Sequence, residues 1–206
     1  NTGTGAGNGG LHVTGTGSAG SGGTIANKTG ADGSATQGTG IFLNGTKGVQ
    51  LAWMQLNDFG NFAIRGNNVT GFTLDHSVIS GDSGTTNSVS DALATFANVG
   101  EDAIRLTNLL GSGSITNSNI SGGYTNTIMV ENNTGTLNRL TIDSSTIGGR
   151  SDNGTGMNDA INFQADAGST AMNLTVSNSA LTTGRANLVA ATGGVAETVA
   201  AVLVTV

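Results

Sequence analysis

Arg65, Asp102, Arg105 and Asp159 are the residues whose types and spacing are best suited to chemistry on one surface. Arg65 directly follows Ile64 and Arg105 directly follows Ile104, while Asp102 and Asp159 stand two places before Ile104 and Ile161. If those isoleucines are equivalent positions of a repeat, the four side chains belong to one outward column that Phe62 and Asn126 share. Carboxylates so placed offer acid–base groups or calcium ligands, and guanidinium groups neutralise uronate. That combination suits cleaving or holding an acidic polysaccharide. The same spacing has a second reading: Asp or Asn ahead of a small residue and Ile is a turn residue leading into a strand.

A smaller set is Trp53, Asp75 and His76, where Trp53 and His76 fall at equivalent places one repeat apart. An exposed indole beside an imidazole and a carboxylate offers a stacking spot for a sugar ring; the alternative is a loop-covered indole and a solvated histidine. His12 stands alone, and two His with no Cys do not make a zinc site. Asp152, Asn153 and Asp159 are acceptors for calcium, but their spacing is not that of an EF-hand loop. Gly5, Gly7 and Gly10 match Gly-x-Gly-x-x-Gly with no strand before them and no helix after, so no phosphate cradle is implied. No Gly-x-Ser-x-Gly elbow occurs, and catalysis is not expected. No cofactor is called for, with calcium the one ion the carboxylates would admit.

Composition narrows the classes further. Of 206 residues 35 are Gly, none is Pro or Cys, and only 10% are charged, yet 36% are hydrophobic. A disordered chain of this polarity carries more charge, more Pro and fewer aliphatics. Absence of Pro suits a chain whose N–H groups nearly all join ladders. A net charge of −6 with scattered Lys and Arg gives no nucleic-acid footprint. The longest apolar run, Val199 to Val206, is too short to span a bilayer, so no membrane span is expected. The opening at Asn1 has no signal-peptide pattern, as expected of a mature or excised piece.

The elements that must position these groups come from a repeat. One phrase recurs as Gly40-Ile41-Phe42-Leu43, Ala63-Ile64-Arg65-Gly66, Ala103-Ile104-Arg105-Leu106, Thr127-Ile128-Met129-Val130 and Ala160-Ile161-Asn162-Phe163. A second follows each time as Val49-Gln50-Leu51, Phe72-Thr73-Leu74, Ser114-Ile115-Thr116, Leu140-Thr141-Ile142 and Leu174-Thr175-Val176. A third apolar position comes at Leu56, Ile79, Ile120, Ile147 and Leu181. Alternation of this kind marks strands with one buried face. The expected fold is all-β: a right-handed, single-stranded parallel β-helix over 1–206, with about seven coils of roughly 23 residues. Loops intrude near 82–100 and 148–157, and Ser90 to Val99 is the one helix candidate. Met54, Ser77, Ser118, Ser145 and Ser179 form a column whose hydroxyls are placed to hydrogen-bond along the stack. Gly and Asn are expected at left-handed corners.

These phrases resemble the bacterial right-handed parallel β-helix repeat proteins of pectate-lyase-like fold. The resemblance is carried also by Gly7-Asn8-Gly9-Gly10-Leu11, Gly22-Gly23-Thr24-Ile25, Met54-Gln55-Leu56-Asn57-Asp58-Phe59 and Asn119-Ile120-Ser121-Gly122-Gly123. It implies a segment of a large adhesin-like or autotransporter-passenger-like protein, extracellular or at the bacterial cell surface. Its expected partners are neighbouring repeats or another copy stacked end to end, and carbohydrate. The same architecture hosts polysaccharide lyases, so a polysaccharide-binding or polysaccharide-cleaving module is the alternative. Ice binding needs ranks of Thr at fixed spacing, and the Thr positions are not expected to align from coil to coil.

Overall fold

Alternating residues in each phrase put one set of side chains inward and the next outward, so strands that stack in parallel build continuous apolar columns. The computed structural model describes residues 10–34, 36–85, 100–150, 159–166, 168–182, 186–190 and 198–204, the last two as backbone only. Its strands join in one 16-stranded sheet, and all pairings are parallel. There is no helix among the described residues. The Ser90–Val99 helix candidate lies outside them, as do Asp152 and Asn153.

Each pass of the chain contributes to three ladders. The first pairs Ile41–Asn44 with the start of Ile64–Asp75, then the start of Ile104–Thr116, then Asn126–Asn132, Asp159–Ala165 and Ala186–Ala190. Its register places Ile41, Ile64, Ile104, Ile128 and Ile161 in one column. In the second ladder Val13, Leu51, Leu74, Ile115, Ile142 and Val176 are in register. In the third the column is Ile25, Leu56, Ile79, Ile120, Ile147 and Leu181. All three columns expected from the phrases are therefore present, and the arrangement is compatible with a parallel β-helix. Most of these side chains are under 5% exposed and make a single continuous core.

Corners set where one ladder ends and the next begins. Between the second and third ladders the residue preceding Met54 and each of the four column serines has positive φ: Trp53 (59°), His76 (45°), Asn117 (49°), Ser144 (51°) and Asn178 (47°). Asn tolerates this region because its short amide bonds locally. His is also found there more often than most residues, but the bulky Trp is not, so this corner carries strain at Trp53.

The serine column behaves as its spacing suggests. The amide of Met54 donates to Ser77 Oγ at 3.0 Å, that of Ser77 to Ser118 Oγ at 3.1 Å, that of Ser118 to Ser145 Oγ at 3.1 Å and that of Ser145 to Ser179 Oγ at 3.1 Å. Each hydroxyl in turn donates to the carbonyl two residues back, as Ser118 does to Thr116 at 2.7 Å. A buried hydroxyl that is both donor and acceptor is costly to delete, because both partners lose their bond without gaining water. Ser118→Ala is expected to destabilise the protein by about 1–3 kcal/mol in urea unfolding. A cost near zero would mean that water replaces the hydroxyl in the column.

On the outer side of the second ladder Gln50, Thr73, Ser114, Thr141 and Thr175 fall in register. The hydroxyls of Thr73, Ser114, Thr141 and Thr175 thus align from pass to pass, contrary to the sequence expectation, because the phrase equivalent to Phe72-Thr73-Leu74 is Gly113-Ser114-Ile115, one residue earlier than Ser114-Ile115-Thr116. The rank is not uniform: Arg139 donates to Thr175, and Asp75 and Asp143 interrupt the neighbouring column.

Candidate functional site

In Ala103-Ile104-Arg105-Leu106, Ile104 and Leu106 point into the core, so Arg105 must point to the opposite side of the ladder. The register then aligns Arg65, Arg105 and Met129. The expected alignment of Arg65 with Arg105 is present, while Asp159 falls opposite Asn126 at a different position and Asp102 precedes the strand. It is not, however, an open surface: Arg65 is 0%, Asp102 0%, Arg105 3% and Asp159 5% exposed. Phe62, Thr107 and Met129 on the same side are buried as well, so the central passes of the first ladder are covered on both faces, while Phe42, Asn44, Asn162 and Gln164 at its two ends are partly exposed. Alternation tells which side a residue takes and nothing about what lies over it, which is why exposure was misjudged.

Arg105 is the hub of the cluster. Its Nη1 donates to Asp102 Oδ2 at 2.9 Å and its Nη2 to Glu131 Oε2 at 2.7 Å. Asp102 Oδ1 also accepts from the backbone N–H and the side-chain amide of Asn126, both at 2.8 Å. Asp159 lies opposite Asn126 in the ladder. The Arg65 guanidinium sits over the Phe62 ring, 5.0 Å from its centroid. Burial, joined by the like charge of Arg105, pulls the Arg65 guanidinium down to about 9. Burial pushes the Asp102 carboxyl up, against the pull of Arg105 and Asn126. Burial likewise pushes Glu131 up to about 7, with Arg105 opposing and Asp166 and Asp102 reinforcing.

Glu131 was not singled out from sequence, although the signal was there. It is the one charged residue in an outward column otherwise made of Asn44, Asn67, Thr107 and Gln164. Glu101 was missed too. It is fully buried and accepts from the Gly33 amide at 3.0 Å and the Thr85 amide at 2.6 Å. With Asn61, which donates to the carbonyls of Ala31 and Gln37, it ties the 29–39 loop to the stack.

The second candidate set does come together. The rings of Trp53 and His76 stack at 4.2 Å and 20°, and His76 Nδ1 lies 2.8 Å from Asp75 Oδ2. Asp75 Oδ1 accepts from Thr116 Oγ1 at 2.6 Å and Asn117 Nδ2 at 3.0 Å. Burial alone would raise the Asp75 carboxyl, but the bonds from Thr116, Asn117 and His76 outweigh it and hold it below its ordinary value. The same device recurs at Asp143, which accepts from Ser177, Ser144 and Asn178. Asp75 therefore does what an aspartate does elsewhere at this corner, bonding the side chains of the next pass. The indole has His76 on the following pass, and on the preceding one Gly15 packs so close that a Cβ there would come within 2.4 Å of Trp53 Cβ. A sugar would meet the edge of this pair rather than an open ring face.

Chemically, the centre of the first cluster is an ion pair shared among Arg105, Asp102 and Glu131, and all three side chains lie almost wholly away from solvent. Among the described residues no three carboxylates or imidazoles gather to hold a metal ion, and no helix is long and apolar enough to cross a membrane. Compared with family models, curated proteins and solved structures, the chain matches none.

Proposed function

We propose that the chain is a right-handed parallel β-helix acting as a structural or adhesive segment of a large secreted or cell-surface bacterial protein, without catalysis. The observation that carries this reading is the burial of Asp102 and Arg105 in pairs with each other and with Glu131. Groups so placed hold passes together and do not themselves face a substrate. Right-handedness is favoured because crossovers between parallel strands of one sheet almost always take that hand. The outer sides of the second and third ladders support the same reading, since they carry mostly small uncharged residues such as Thr73, Ser114, Thr141, Asn57 and Ser80. Ala186–Ala190 and Thr198–Val204 each pair on one side only among the described strands. Open edges of this kind recruit another strand, from a further pass or from a second copy.

The test is incubation of the purified chain with acidic and neutral polysaccharides, with and without calcium, following polymer length and retention together. Polymer length is expected to stay constant under every condition. Shortening that disappears in Asp102→Asn would overturn the proposal and establish a lyase or hydrolase. A second reading, carbohydrate binding, is favoured by the half-exposed Trp53–His76 pair. Retention that is lost in His76→Ala would establish it as the adhesive function.

A further inference from the structure

Among the described residues, four carboxyls share the outer side of the first ladder with two guanidinium groups, and all six are under 10% exposed. They come from the four central passes of the ladder, and the outer strands Ile41–Asn44 and Ala186–Ala190 add no charge. Arg65 follows Ile64, Asp102 and Arg105 flank Ile104, Glu131 lies in Asn126–Asn132, and Asp159 and Asp166 begin and follow Asp159–Ala165. Full ionisation would bury more negative than positive charge, and a buried group in that position takes up a proton rather than stay charged. Of the two carboxyls that share the Arg105 fork, the bonding pattern says which is held less firmly in its charged form. Asp102 accepts three charge-favouring bonds, two from Asn126 and one from Arg105, whereas Glu131 accepts its one described bond from Arg105. Its register neighbours, Thr107 and Gln164, add no charge.

We propose that Glu131 is a proton-operated latch between passes of the first ladder: neutral in mild acid, where the stack is tight, and ionised above neutrality, where the stack is loosened. The burial that lifts this carboxyl to about 7 agrees with the geometry. A carboxyl raised in the folded state contributes stability that is fully present below its ordinary unfolded value. That contribution is lost as pH rises through the folded value. The protein is thus tightest on the acid side, opposite to the trend that salt-bridged surface carboxylates produce.

The experiment compares urea unfolding of the wild-type chain and Glu131→Gln from pH 5.5 to pH 8. Over that interval the wild-type unfolding constant is expected to rise by about 30-fold relative to the variant, as linkage gives for one carboxyl raised from 4.5 to about 7. Any contribution from His12 and His76 is common to both chains and cancels. Equal pH dependence in the two chains would overturn the proposal. If Glu131→Gln does not fold, carbon NMR titration of the wild-type Glu131 carboxyl decides alone. A midpoint near neutrality sustains the latch, and one in the ordinary carboxylate range removes it.

Discussion

Truncating Arg105 to alanine is expected to destabilise the protein by about 3–5 kcal/mol, the largest single effect in the molecule. The guanidinium bonds both Asp102 and Glu131, across neighbouring passes, and both carboxyls are essentially without solvent. Removing it leaves two buried acids facing each other, which costs far more than the pair itself contributes. The signature is a fall in the urea midpoint at pH 7 with an unchanged slope, since the surface exposed on unfolding stays the same. Arg105→Lys should recover only part of the loss, because an ammonium cannot span both acids with the same fork. Adding Glu131→Gln to Arg105→Ala should also recover part, by removing one of the stranded charges. Lys47→Ala, at an exposed position, is the control and should stay within about 0.5 kcal/mol of the parent. A cost for Arg105→Ala no greater than that of the control would mean that water reaches the cluster, and would reopen the case for an accessible acid–base site.

What was legible in the sequence followed from side-chain size and period. The Ile and Leu columns were read from alternation, and the register confirms them because an apolar residue slipped by one place would face outward. The serine column was legible for the same reason: a small hydroxyl at a constant offset has a constant neighbour one pass away. Exposure was not legible. Arg65 and Arg105 look like surface residues because arginine usually is one, and their burial depends on what covers the ladder rather than on their own phrase. Glu131 is the instructive omission. The phrase ending in Val130 appeared complete without it, yet a lone acid in an uncharged column should have drawn notice. The positive φ of Trp53 and His76 was likewise hidden, since propensity assigns that corner to Asn or Gly. Their mutual stacking, worth about 0.5–1.5 kcal/mol for an aromatic pair, offsets part of the strain at Trp53.

Ile104→Ala is the second large effect, expected to cost about 2–5 kcal/mol, while Ile104→Val should cost only about 0.5–1.5 kcal/mol. Ile104 is fully buried and lies between Ile64 and Ile128 in the column, so a cavity made there is walled by side chains on both neighbouring passes. Nor can the space close easily, because Leu106 on the same strand is committed to filling the gap over Gly66, where a Cβ would stand 2.6 Å from its Cδ2. Ile41 offers the comparison. It is 6% exposed and, among the described strands, pairs on one side only, with Ile64. Ile41→Ala should therefore cost distinctly less, and amide exchange should quicken mainly near the start of the chain rather than throughout it. In a stack each pass is stabilised by its neighbours, so position in the column matters as well as residue type. Equal costs at Ile41 and Ile104 would show that the column does not act as a continuous core. A clear gradient, with the central isoleucine the costlier, is what stacked parallel ladders require.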